Sequence, residues 1–129
     1  MIHQALYSKL STTAAITNLV STRIFPTIGQ QGRILPCLVY QRVNYTERTS
    51  FHGGVNPIVV SRFQIDCIAS TPTQALALAK QVTDALNGWT GIVEGVNIYM
   101  TETVSSQDGF ELGIDEFAVV VEIDITHKE

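Results

Sequence analysis

The chain has 129 residues, of which 45% are hydrophobic and 16% charged, and a formal net charge of -4. That length fits one domain, residues 1–129, and that composition excludes a disordered chain, which is poorer in hydrophobes and richer in charge. An acidic total argues against sequence-independent DNA binding, and no run approaches the roughly 20 apolar residues of a membrane span.

In chain order, Ile2 to Val20 reads as one helix with a candidate break at Ser11-Thr12-Thr13, because Ile2, Leu6 and Leu10, then Ile16, Leu19 and Val20, recur at helical spacing. Its first residues, Met1-Ile2-His3-Gln4-Ala5, lack a basic segment before a long apolar run, so no secretory signal is expected and the chain reads as soluble and cytosolic. Arg23-Ile24-Phe25-Pro26 fits a short extended piece, since Pro26 disfavours helix at its predecessor. Thr27 to Leu35, with Gly29 and Gly32, reads as a loop.

Cys37 to Tyr45 is strand-like, with Cys37, Val39 and Val43 on one face and Leu38, Tyr40 and Arg42 on the other. Val59 to Ala69 is the next strand, with Val59, Phe63, Ile65 and Cys67 opposed to Arg62, Gln64 and Asp66. Thr46 to Pro57 joins them as an over-long hairpin connection. A helix then starts at a Thr71 cap with Pro72 at its first position and Gln74 completing a capping box, and ends at Asn87-Gly88. Its buried stripe is Ala75, Ala79, Val82 and Leu86, widened by Leu76 and Leu78. Two more strands, Val96 to Val104 and Phe117 to Ile125, are joined by an acidic connection, Ser105 to Glu116. The order α-β-β-α-β-β predicts an α+β fold of two layers, with helices on one face of a four-stranded, mostly antiparallel or mixed sheet and a polar opposite face.

Little in this pattern carries chemistry. His3, His52 and His127 stand in no HExxH, Cys-paired or glycine-rich context, and the acids Glu102, Asp108, Glu111, Asp115 and Glu116 lack the EF-hand order. Phe51-His52-Gly53-Gly54 is no phosphate-binding loop, and Ser50, Ser61 and Ser70 have no nucleophile elbow. Cys37 and Cys67 read as buried structural thiols rather than a disulfide or a metal framework. No catalytic residue, metal or cofactor is expected. Charge is uneven, however: six basic residues and one acid lie up to Arg62, and two lysines against eleven acids from Phe63 onward. Either folding interleaves the two halves, or a basic surface of one subunit meets an acidic surface of the next.

The segments LVSTRIFPTIGQQG, LPCLVYQRV, RFQIDCIASTPTQALALAKQVTDALNG and FAVVVEIDI, in that order across residues 3 to 126, resemble the tail-completion, or tail-terminator, proteins of long-tailed bacteriophages and prophages. The pieces that carry the resemblance are Arg23-Ile24-Phe25-Pro26, Leu35-Pro36 before a long strand, and an aromatic-x-x-Asp strand entering an alanine-rich helix. The resemblance implies a non-enzymatic structural protein of the virion tail, assembled in the host bacterial cytoplasm. Its subunits would form a six-membered ring at the head-proximal end of the tail tube, whether or not the free protein is a monomer. Partners would be the tail-tube protein, a head-closure or connector protein and further copies of the chain, with DNA only as passing cargo and no membrane. Arg48, Phe51 and His52 in the first long connection, and Asp108, Phe110 and Glu111 in the second, are the candidate docking residues. The alternatives are a head-closure or neck protein on the portal side, or a small-molecule-binding or enzyme-subunit domain on the same scaffold.

Overall fold

The computed structural model describes residues 2–26, 34–48, 58–113 and 116–128, and the side chains among them except at 48 and 108–113. Three helices, α1 (Ile2–Thr12), α2 (Ala14–Val20) and α3 (Pro72–Leu86), accompany six strands: β1 (Ile24–Pro26), β2 (Cys37–Arg48), β3 (Ile58–Ala69), β4 (Gly91–Val93), β5 (Val96–Gly113) and β6 (Glu116–Lys128). The break between α1 and α2 falls where the Ser-Thr-Thr run placed it. There the Thr12 and Thr13 hydroxyls donate back to the carbonyls of Ser8 and Lys9 at 2.7 and 2.6 Å, and the Thr13 backbone is extended. Hydroxyls that compete for helical carbonyls favour such an interruption.

The predicted four-stranded sheet is instead six-stranded, in the order β1-β2-β3-β6-β5-β4. β1 runs parallel to β2, and every other neighbouring pair is antiparallel. The two added strands are three residues each, too short for an alternating pattern to reveal. β3 and β5 point the same way with β6 between them, and the chain passes from β3 to β5 through α3 and the short strand β4.

The helix-facing side of the sheet holds the main core. Phe63, Ile65 and Cys67 of β3, Val119, Val121, Ile123 and Ile125 of β6, and Leu38 and Tyr40 of β2 pack there with Leu6, Leu10, Ile16, Leu78, Val82 and Leu86 of the helices. Burial at this scale is the main stabilising term, at roughly 25 cal/mol per Å² of apolar surface. A smaller cluster, Cys37, Val39, Ile68 and Ala118 with Phe25 and Leu35, sits on the opposite face near the start of β2. Beyond it that face is half-buried and polar, as expected, with Arg62 donating two bonds to Asp124 at 2.8 and 3.1 Å.

Four local expectations need correction. Val43 does not share the face of Cys37 and Val39: the register passes from Arg42 to Asn44, leaving Val43 as a bulge residue, 45% exposed. Leu76 is 46% exposed and takes no part in the buried stripe of α3, which is Ala75, Leu78, Ala79, Val82 and Leu86. The Thr71 hydroxyl does accept from the Gln74 amide, but the Gln74 side chain accepts from Ser70, so the reciprocal capping box is not closed. Finally, most of Ser105 to Glu116 is strand, because backbone pairing with β6 holds β5 extended even where its side chains no longer alternate.

Two of the three pieces that carried the family resemblance meet in space. The Arg23 Nε donates to the Pro36 carbonyl at 2.8 Å, and the Leu38 amide donates to the Arg23 carbonyl at 3.0 Å. Arg23 thereby fastens the exit of α2 to the entry of β2, with Leu35-Pro36 held in a cis peptide.

Candidate functional site

Among the described residues, three polar groups on the helix side of the sheet come nearest to a reactive cluster. The Ser61 Oγ and His127 Nε2 are 2.8 Å apart, and both residues are buried. A nucleophile needs a substrate within reach, and Ser61 is 0% exposed. His3, on α1, sets its ring edge-on to Phe63 at 5.2 Å, and its Nδ1 has no hydrogen-bond partner among the described residues. Burial first, and then the charge of Arg42, hold its pKa below the ordinary value.

His3 also borders an open groove of about 530 Å³ with Gln4, Tyr7, Ser8, Ser11, Tyr40 and Glu94. Its walls are hydroxyls, amides and phenol rings with one carboxylate, and they pair no nucleophile with a base. Among the described residues, no group of three His, Cys, Asp or Glu side chains is placed to hold a metal. Cys37 and Cys67 are both buried, as their strand context suggested. Burial pushes the Cys67 thiol far above its ordinary pKa.

The predicted docking residues separate. Arg48 is the last residue of β2, with its backbone opposite Ile58 at one end of the sheet, while Phe51 and His52 lie outside the described residues. Asp108, Phe110 and Glu111 belong to β5 rather than to a loop, and Phe110 and Glu111 register with Ala118 and Phe117. Because Ala69 also registers with Phe117, and Ile58 with Lys128, Arg48 lies at one end of the sheet and Phe110 and Glu111 at the other. β3, 12 residues long, spans the distance between them along the strands, about 35 to 37 Å at 3.2 to 3.4 Å per residue. Sequence order could not reveal this, since it depends on the register of β3 and β5 against β6.

The exposed apolar residues of the sheet concentrate on two strands. Val43 and Tyr45 lie on β2, and Tyr99, Met100 and Val104 on β5, all between 41% and 49% exposed. Val43, Tyr99 and Val104 are residues that the register skips at bulges.

No curated protein matches the chain. Among solved structures, a chain of the "Virion of native gene transfer agent (GTA) particle" superposes with a TM-score of 0.80 at 17% identity, covering 97% of this chain and 92% of that one. At that identity the likeness shows a shared fold. The model of the family described as "Tail completion protein gp17" matches residues 4–128, and with nearly the whole length matched, the chain belongs to this family of phage tail structural proteins.

Proposed function

We propose that the protein forms a six-membered ring on the head-proximal end of the phage tail tube, where it ends tube polymerisation and presents the surface for head-tail joining. The observation that carries this reading is the placement of the β2/β3 and β5/β6 hairpins at opposite ends of one rigid sheet. A subunit between a tube and a head connector needs two axial contact surfaces, and the two ends of the sheet provide them. In this reading Arg48, Phe51 and His52 serve one axial neighbour, and Asp108, Phe110 and Glu111 the other. The stretch of this face that carries Arg62, Gln64, Glu122 and Asp124 is half-buried and polar and suits a wall near passing DNA, whose phosphates an acidic protein does not retain.

The test is tube length by electron microscopy, with the cognate tail-tube protein polymerising with and without this protein. Shortened tubes with an added ring at one end are the expected result. An unchanged length distribution with bare ends would overturn the terminator reading and bring a neck protein on the portal side to the front.

A further inference from the structure

α1 bridges the two margins of the sheet. It touches both β1 and β4, the terminal strands in the order β1-β2-β3-β6-β5-β4. Its apolar stripe, Ile2, Ala5, Leu6 and Leu10, is at most 3% exposed. His3, in the first turn, lies against the same seam and sets its ring edge-on to Phe63 of β3, with centroids 5.2 Å apart. At its other end α1 stops at Thr12, and the extended backbone of Thr13 separates it from α2. The helix is thus held to the sheet by one buried face and joined to α2 through a residue that is not helical.

The surroundings of His3 suit a neutral imidazole and oppose a charged one. Its Nδ1 is buried with no hydrogen-bond partner among the described residues. A proton added there finds no acceptor, and an unmatched charge in a buried site is costly. Arg42 of β2, the chain's amino group and His127 of β6 all work against a positive charge on the ring. The first turn of α1 contains no acidic residue, and the positive end of the helix dipole lies there. Glu94, in the turn between β4 and β5, is the one carboxylate bordering the groove beside His3, and it is not among the charges that act on the ring. Tyr7 of α1 and Tyr40 of β2 offer phenol hydroxyls to that groove, and from β3 the ring faces the uncharged Phe63.

We propose that α1 is an acid-released latch: a proton on His3 turns its contact with Phe63 into a buried, unmatched charge, and the first turns of α1 leave the sheet while α3 and the strands stay folded. Release takes away a support shared by both margins and opens the groove that α1 forms with Tyr40 and Glu94. The latch does not depend on the ring reading, since it belongs to the single subunit. Its direction follows from linkage. A detached α1 exposes His3 to water, where the imidazole binds a proton near its ordinary pKa of 6.5, whereas the seated helix lets it bind one only at lower pH. Detachment is therefore favoured as pH falls below about 6.5 and is indifferent to pH above it.

Amide exchange of the free protein, corrected for the intrinsic rate at each pH, tests the latch. Residues 3–12 are expected to exchange at least about threefold faster at about pH 5.5 than at about pH 7.5, with residues 75–86 of α3 unchanged. His3→Gln should remove the difference, and so should His3→Phe, which keeps a ring against Phe63. Arg42→Gln should lessen it, because less positive charge then opposes the proton. An α1 that exchanges at the same corrected rate at both pH values would overturn the latch. The same acceleration in both His3 variants as in the wild type would overturn it too, by placing the titrating group elsewhere. Equal acceleration of α1 and α3 would mean a loss of stability of the whole domain and would overturn the local release.

Discussion

Burial alters the chemistry of His3 and Cys67. The folded protein holds the His3 pKa below its ordinary 6.5, chiefly through burial and then through the charge of Arg42. As pH falls, the unfolded chain therefore takes up that proton first, so His3 withdraws stability below about pH 6.5 and not above it. His3→Gln should lessen the fall in melting temperature between about pH 7 and pH 5.5, above the range where carboxylates titrate. Parallel curves for the two proteins would remove His3 from this role. For the thiols, 0% exposure and the raised pKa of Cys67 predict that a thiol reagent labels neither cysteine in the native protein and both after unfolding in urea, read by mass spectrometry. Native labelling of either would contradict the packing described.

At the scale of elements, α3 shows which local signals suffice. Thr71 caps it, Pro72 begins it, and Gly88, at φ +80, follows the Asn87 cap in the left-handed conformation that glycine tolerates best. The Thr71 hydroxyl accepts from the Gln74 amide at 3.3 Å, a long bond at an exposed site. Thr71→Ala should accordingly cost about 0.5 to 1 kcal/mol in urea unfolding, the lower part of the range for lost caps. A loss of several kcal/mol would mean that Thr71 does more than cap. The strands were legible where one face is buried: β3 and β6 alternate nearly residue by residue, and their predicted faces agree with the burial found. β5 was legible only to Val104, because beyond it the chain is polar and its bulges break the alternation that a sequence reading needs.

For the whole molecule, the separation of the two hairpins makes a prediction that loops at one end would not. Reversing charge near one hairpin, as in Arg48→Glu, should impair one axial contact, and Glu111→Lys the other. The measurement is twofold: binding of the protein to tail tubes, and joining of the resulting tails to heads. Each variant is expected to lose about tenfold or more in one assay and little in the other, since the changes lie about 35 Å or more apart along the strands and should act independently. Equal losses in both assays from both variants would mean that the two ends do not serve different neighbours.

The sequence by itself determined the class of fold, the break after α1, the Thr71 cap and most of the stripe of α3, the burial of both thiols and the family, because each is written in local spacing or in the order of short segments. Only the tertiary structure decided the number of strands, the extension of β5 and the ends of the sheet at which the candidate residues lie. The reason is that a strand is completed by its neighbour's backbone, whose donors and acceptors every sequence carries alike. β4 is a strand because Val96 to Ile98 pair with it, and Arg48 is distant from Glu111 because β6 registers both β3 and β5 along its length. Such facts belong to pairs of segments far apart in the chain, and no single segment records them.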